Sequence, residues 1–188
     1  MSGRRGPDGP ERDTTPVRPA GADVMSLAEE LRFAVRMARR AGALLQESYG
    51  RVERIDYKSK RDVVTDVDFA SEKMIIDAIR VRYPGDAILA EESGHHERRG
   101  AGRGAARTWV IDPLDGTVNY ANGIPYYCVS IGLVADRGPV LGVIYDPARD
   151  DCFTATADGP ACLNGEPSRA SDKEALSDFV VSLAVIGR

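Results

Sequence analysis

Apolar residues recur at three- and four-residue steps early in the chain. Leu27, Leu31, Ala34, Val35, Ala38 and Leu45 trace one stripe, the spacing of an amphipathic helix. The stripe predicts a helix over about 27–48, opened by Ser26-Leu27-Ala28-Glu29 as a capping box and stopped at Gly50. A second helix is predicted from about Asp68 to Tyr83, with Phe69, Ile75, Ile76 and Ile79 on one side and Pro84-Gly85 ending it. The apolar runs then shorten to strand length. Ala87–Ala90 runs straight into Glu91-Glu92, and Thr108–Ile111 runs into Asp112. Residues 93–107 are polar, Gly-rich and Arg-rich and read as a surface loop. From 126 the period is two: Val129, Ile131 and Leu133 alternate with smaller residues, and Asp136-Arg137-Gly138 turns the chain. Val140 to Tyr145 then runs back, and Cys152 to Thr156 adds a third strand. Asp178 to Ile186 reads as a further apolar strand. The expected class is a layered α/β fold, a helix-and-strand half followed by an antiparallel meander.

Residues 1–25 break the pattern. They hold four Pro, four Gly, and four Arg cancelled by four Asp/Glu. Their few apolar groups cannot offset the entropy of ordering, so a disordered leader is expected before a domain over 26–188. The whole chain is 188 residues with a net charge of −4. An acidic balance is a poor start for a phosphate-backbone binder, and the most basic stretch (Arg98, Arg99, Arg103, Arg107) carries no interleaved aromatics. No nucleic acid partner is expected. No apolar run approaches a membrane span, and the N-terminus has no apolar signal core. The three cysteines, Cys128, Cys152 and Cys162, are odd in number and unpaired in spacing, which favours reduced thiols and a cytoplasmic setting.

The informative feature is that two short apolar strands both end in acids. In layered α/β proteins ligands gather beyond the carboxyl ends of strands, so Glu91 and Asp112 are expected to face one crevice with Asp115 beside them. Two carboxylates at ~4 Å repel by about 4 kcal/mol at an effective dielectric of ~20. Protons or cations must therefore neutralise the group, and oxygen ligands without neighbouring His or Cys suit a hard ion, Mg2+ above all. In Asp112-Pro113-Leu114-Asp115-Gly116-Thr117 the proline stiffens the turn, Gly116 permits close backbone approach, and Thr117 opens a helix whose free N–H groups suit a phosphate.

These residues carry a resemblance. Asp62-Val63-Val64-Thr65-Asp66-Val67-Asp68 with Glu72, then Glu91-Glu92-Ser93, then Trp109 to Tyr120, resemble the inositol monophosphatase family of Mg2+-dependent, lithium-sensitive sugar phosphatases. Pro125 to Gly132, Gly142-Val143-Ile144-Tyr145 and Leu163-Asn164-Gly165 extend the match over about 27–188. The resemblance implies an alternating αβαβα sandwich of the inositol monophosphatase/fructose-1,6-bisphosphatase type. It implies a first Mg2+ held by Glu91, Asp112 and the Leu114 carbonyl, and a second shared by Asp112 and Asp115. Glu91 and Thr117 would orient the attacking water, and Asp68 would accept the Thr117 hydroxyl. Asp115, Gly116 and Thr117 would contact the substrate, the last two through backbone donors to its phosphate. The implied substrate is a small phosphomonoester, myo-inositol phosphate first, with histidinol phosphate, fructose 1,6-bisphosphate and nucleotide 3′-phosphates as alternatives. The implied assembly is a homodimer.

One family feature is missing. The resemblance implies a later Trp-Asp pair whose aspartate completes the second cation site. Trp109 is the sole tryptophan and is followed by Val110, so the chain reads as C-terminally truncated, and a catalytically inactive binding or dimerisation module is the rival expectation. Bland roles stand beside several residues. Asp66 and Glu72 fit a helix dipole, Lys58 a solvated cation, His95 and His96 a surface loop, and Trp109 the core.

Overall fold

The computed structural model describes residues 27–49, 55–57, 63–97, 106–136 and 138–179. The expected leader, Ser26, Lys58 and the run from Val180 to Ile186 lie outside these.

Helix α1 spans Ala28–Ser48, and helix α2 spans Asp66–Arg82. Strands β1 (Ile55–Tyr57) and β2 (Val63–Thr65) form a small antiparallel pair between them. The main sheet takes β3 (Ala87–Ala90), β4 (Gly94–His96), β5 (Thr108–Asp115), β6 (Cys128–Ala135), β7 (Gly138–Asp146), β8 (Asp151–Thr156), β9 (Cys162–Leu163) and β10 (Glu166–Pro167). A short helix α3 (Thr117–Ala121) follows β5. The sheet order is β10-β9-β8-β7-β6-β5-β3-β4. Among these pairings only β3 with β5 is parallel; the meander from β5 to β8 is antiparallel throughout, as the period-two pattern requires.

Alternation sorts the sheet into two faces. Trp109, Ile111, Val129, Ile131, Leu133, Leu141 and Val143 are buried beneath α1 and α2. The alternate positions Leu89, Val110, Ile144 and Phe153 are 37–47% exposed. α1 reaches β7 closely because residue 42 is glycine: a Cβ there would come within 2.5 Å of the Tyr145 ring.

Three local expectations need correction. The buried face of α1 is Phe33, Ala34, Met37, Ala38, Ala41 and Leu45, whereas Leu27, Leu31 and Val35 are only half-buried at its flank. The described cap position is Leu27, which makes no side-chain cap bond; the expected cap Ser26 lies outside the described residues, and Glu29 accepts from Arg82 at 2.8 Å. On α2, Phe69 is exposed and the acids Asp68 and Glu72 are buried with Ile75 and Ile79. The expected 93–107 loop contains β4, which hairpins onto β3 with Leu89 opposite His95. Of the final apolar run from Asp178 to Ile186, only Asp178 and Phe179 are described, and Asp178 closes a 3-10 turn, Leu176–Asp178.

Candidate functional site

Parallel pairing puts the carboxyl ends of β3 and β5 side by side, with Ala90 opposite Ile111. The next residues along the two strands are Glu91 and Asp112. Their carboxyl groups are in hydrogen-bond contact, a contact between two acids that requires a proton or a cation. Burial, that contact and the charges of Glu91 and Asp115 push the Asp112 carboxyl up to about 7. Beyond Asp112 the pairing with β6 is interrupted by a bulge and resumes at Asp115 opposite Cys128. The Cys128 thiol approaches Asp115 Oδ2 at 3.7 Å. Burial, with Asp115, Asp112 and Asp146 nearby, pushes that thiol up to about 12, so it is neutral and inert as a nucleophile.

The segment after Asp112 is held by its own backbone. The Leu114 N–H donates to Asp112 Oδ1 at 3.1 Å, and the Thr117 hydroxyl donates to the Leu114 carbonyl at 2.9 Å. Gly116 takes φ +96°, and a Cβ there would lie 2.9 Å from the Tyr126 carbonyl oxygen. No L side chain suits both the torsion and the approach. Tyr120, 1% exposed, donates its hydroxyl to the Leu45 carbonyl at 2.7 Å and so pins α3 to α1. Asn119 Nδ2 holds the Tyr126 carbonyl at 2.9 Å, closing the loop that follows.

α2 brings two further acids. Asp68 is fully buried in its first turn, and burial plus the charges of Glu92, Glu91, Asp112 and Glu72 pushes its carboxyl up to about 8. Glu72, one helical turn on, is 2% exposed and accepts the N–H groups of Glu92 at 2.8 Å and Ser93 at 3.0 Å. Ser93 Oγ and His96 Nε2 close the hairpin at 2.6 Å.

The structure thus brings together Asp68, Glu91 and Asp112, with Asp115 three residues further along β5 beyond the bulge, Leu114 between the two aspartates, and Gly116 and Thr117 in the turn that follows. The single proton of the Thr117 hydroxyl goes to the Leu114 carbonyl, so it is not given to Asp68. Among the described residues no group of three or more His, Cys, Asp or Glu is gathered tightly enough to hold an ion by itself. The donors nevertheless suit Mg2+: they are all oxygens, the Asp112 carboxyl beside Glu91 is raised in proton affinity, and Mg2+ retains waters where protein ligands are few. Glu72 is the participant that sequence reasoning left as a helix-dipole acid. Its placement four residues from Asp68 was the available signal.

A mixed-sheet α/β protein with acids converging at the ends of its one parallel strand pair is the class defined by this fold and site. The chain belongs to the inositol monophosphatase family, whose model matches residues 26–187. Similar proteins include an inositol monophosphatase of Dictyostelium discoideum, 39% identical over 86% of this chain and 59% of its own length. A Nus factor SuhB of Pseudomonas aeruginosa is 43% identical over 78% of this chain and 54% of its own. The crystal structure of the extragenic suppressor protein SuhB from Bartonella henselae superposes with TM-score 0.71 at 33% identity, covering 77% of this chain and 55% of that one. The chain therefore spans little more than half the length of the relatives it matches. Among the described residues no helix is long and apolar enough to cross a membrane.

Proposed function

We propose that this chain carries the cation and phosphate site of a Mg2+-dependent phosphomonoester hydrolase acting on a small sugar or polyol phosphate, myo-inositol phosphate first. The observation that carries the reading is the Glu91–Asp112 carboxyl contact at the ends of two adjacent parallel strands, with the Asp112 carboxyl raised to about 7. Acids placed so that they bind protons against their ordinary preference are acids arranged for a cation. Glu91, Asp112 and the Leu114 carbonyl would hold the first ion, and Asp112 with Asp115 the second. Bound Mg2+ supplies charge to lower the pKa of water and to stabilise the leaving oxygen.

The protein residues supply the rest. Glu91 accepts a proton from the attacking water. The Thr117 hydroxyl, held at 2.9 Å on the Leu114 carbonyl, keeps an oxygen lone pair free to orient that water. The Gly116 and Thr117 N–H groups are the donors offered to the phosphate, at a turn that admits only glycine. Asp68, buried in the first turn of α2, adds its carboxyl to the acids of the site. The three free cysteines fit a cytoplasmic setting, and a homodimer with a small-molecule substrate is carried over from the resemblance. The domain is assigned to 26–188.

A second reading rests on two observations: the share of its relatives that the chain spans, and the lack of a three-acid cage among the described residues. On it, the chain binds a cation and a partner without turnover. Release of inorganic phosphate from myo-inositol 1-phosphate by the 188-residue chain separates the two. Release that needs Mg2+ and falls by at least about 100-fold in Asp112→Asn supports hydrolysis, as loss of a transition-state charge partner should. No release from a folded wild-type chain overturns the hydrolase reading.

A further inference from the structure

We infer that Glu72 is a positioning residue that aims Glu91, an inference resting on the cation-site reading above. Glu72 is 2% exposed, and both of its carboxylate oxygens are used, one on the Glu92 N–H at 2.8 Å and the other on the Ser93 N–H at 3.0 Å. These are the two peptide groups immediately after Glu91. The Glu91 N–H itself is tied to the Ile111 carbonyl of β5 at 3.1 Å. Glu91 is therefore clamped on both sides, by β5 before it and by α2 behind it.

Stability of the turn alone does not call for such an acid. Of the two residues whose N–H groups it holds, Ser93 is exposed and Glu92 only half-buried, so a neutral acceptor or water would serve the turn with no added charge. Burying another negative charge beside Asp68, Glu91, Glu92 and Asp112 makes the crowd worse, and Glu72 is one of the charges that raise Asp68. The fold gains a turn held by two charge-assisted bonds, which fixes the backbone from which the Glu91 carboxylate projects. Partners one step removed from a metal commonly carry this role, and removing one typically costs about 10–100-fold in metal affinity. Glutamine at 72 has the same shape but one acceptor oxygen, and its amide would face an N–H, so one of the two bonds is lost.

The test is calorimetric titration of the wild-type chain, Glu72→Gln and Lys73→Ala with Mg2+, beside melting curves of each in EDTA. Lys73 is the exposed neighbour on the same helix. The expected result is Mg2+ binding weakened about 10–100-fold in Glu72→Gln and unchanged in Lys73→Ala. The Glu72→Gln chain should melt in EDTA no lower than wild type, because a negative charge has left the crowd; a purely structural acid would lower it. Glu72→Asp, which keeps the charge but shortens the reach, should weaken binding in the same direction. Equal Mg2+ affinity in wild type and Glu72→Gln overturns the positioning role alone, as does a Glu72→Gln chain that fails to fold. No Mg2+ binding by wild type overturns the cation reading, and the inference falls with it.

Discussion

The two ends of the β3–β5 strand pair make opposite use of buried acids. At the amino end, Asp86 and Glu30 are 7% and 8% exposed, and both are answered by Arg107. Its Nε and Nη2 reach the two Asp86 oxygens at 3.1 and 2.8 Å, and Nη1 reaches Glu30 Oε1 at 2.8 Å. The Trp109 indole N–H adds a bond to Asp86 at 2.9 Å, and the Tyr83 ring lies under the guanidinium at 5.5 Å. At the carboxyl end, four residues along each strand, Asp68, Glu91 and Asp112 crowd together. Among the described residues, the charges that raise Asp68 (Glu92, Glu91, Asp112 and Glu72) and Asp112 (Glu91 and Asp115) are carboxylates. Among the described residues, the same two strands therefore carry one acid cluster built around a cation and one built of carboxylates. The cluster around Arg107 joins α1, the turn before β3 and the segment before β5, so it serves the fold. On the function proposed above, the carboxylate cluster is the end that takes a cation.

Removing the cation from the amino end should give the largest loss. Arg107→Met keeps much of the apolar stem but leaves two buried carboxylates without their partner, a change that costs about 3–5 kcal/mol. For a domain of marginal stability that is a large share of the total. Urea denaturation of the metal-free chain measures it. A loss below about 1 kcal/mol would place this cluster among ordinary surface pairs and erase the contrast between the two ends.

The carboxyl end should show itself next, through pH. The Asp112 and Asp68 carboxyls are raised from 3.8 to about 7 and about 8. A carboxyl raised in the folded state favours folding below its unfolded pKa, and the benefit is lost as pH rises through the folded value. The metal-free chain should therefore lose stability progressively from about pH 4, where the unfolded carboxyls ionise, to about pH 8, where the folded ones have done so. The loss should be on the order of 2 kcal/mol, well below the full sum for coupled acids. Millimolar Mg2+ should restore it, and Asp112→Asn should flatten part of the slope. Melting curves in EDTA across that range, repeated with Mg2+, check both. A flat profile would mean that the acids at this end are already compensated.

The sequence makes one of these ends legible and hides the other. Glu91 and Asp112 are each announced by the apolar run before them, and parallel pairing needs only those two local signals. Arg107 meets Glu30 across 77 residues of chain, and nothing local to either residue marks the pair. The same limit governs Glu72. Its neighbours on α2 suggest a helix-dipole acid, whereas its partners are backbone N–H groups 20 and 21 residues away. Helix phase misleads in a related way at Phe69: hydrophobicity assigns it inward, but the inward direction is taken by Asp68 and Glu72, whose burial is set by the site. The meander was readable because Val129, Ile131 and Leu133 bury one face at period two. Gly94-His95-His96 carries no such signal and becomes a strand only because β3 offers it an edge.

The smallest effect should come from an ion pair that belongs to neither end. Arg82 Nη2 meets Glu29 Oε2 at 2.8 Å, a bond as short as that from Arg107 to Glu30, but the two side chains are 58% and 65% exposed. Water and salt screen such a pair, and holding two long side chains costs entropy, so Arg82→Ala should lose no more than about 0.2–1 kcal/mol. The loss should shrink further in 0.5 M NaCl, where charges more than a few Å apart are screened. The Arg107→Met loss should persist in the same salt because its partners are buried. Denaturation of both variants at low and high salt measures the difference directly. Equal losses, or equal salt sensitivity, would show that distance rather than burial decides what a charge contributes in this fold, and the contrast between the two strand ends would lose its physical basis.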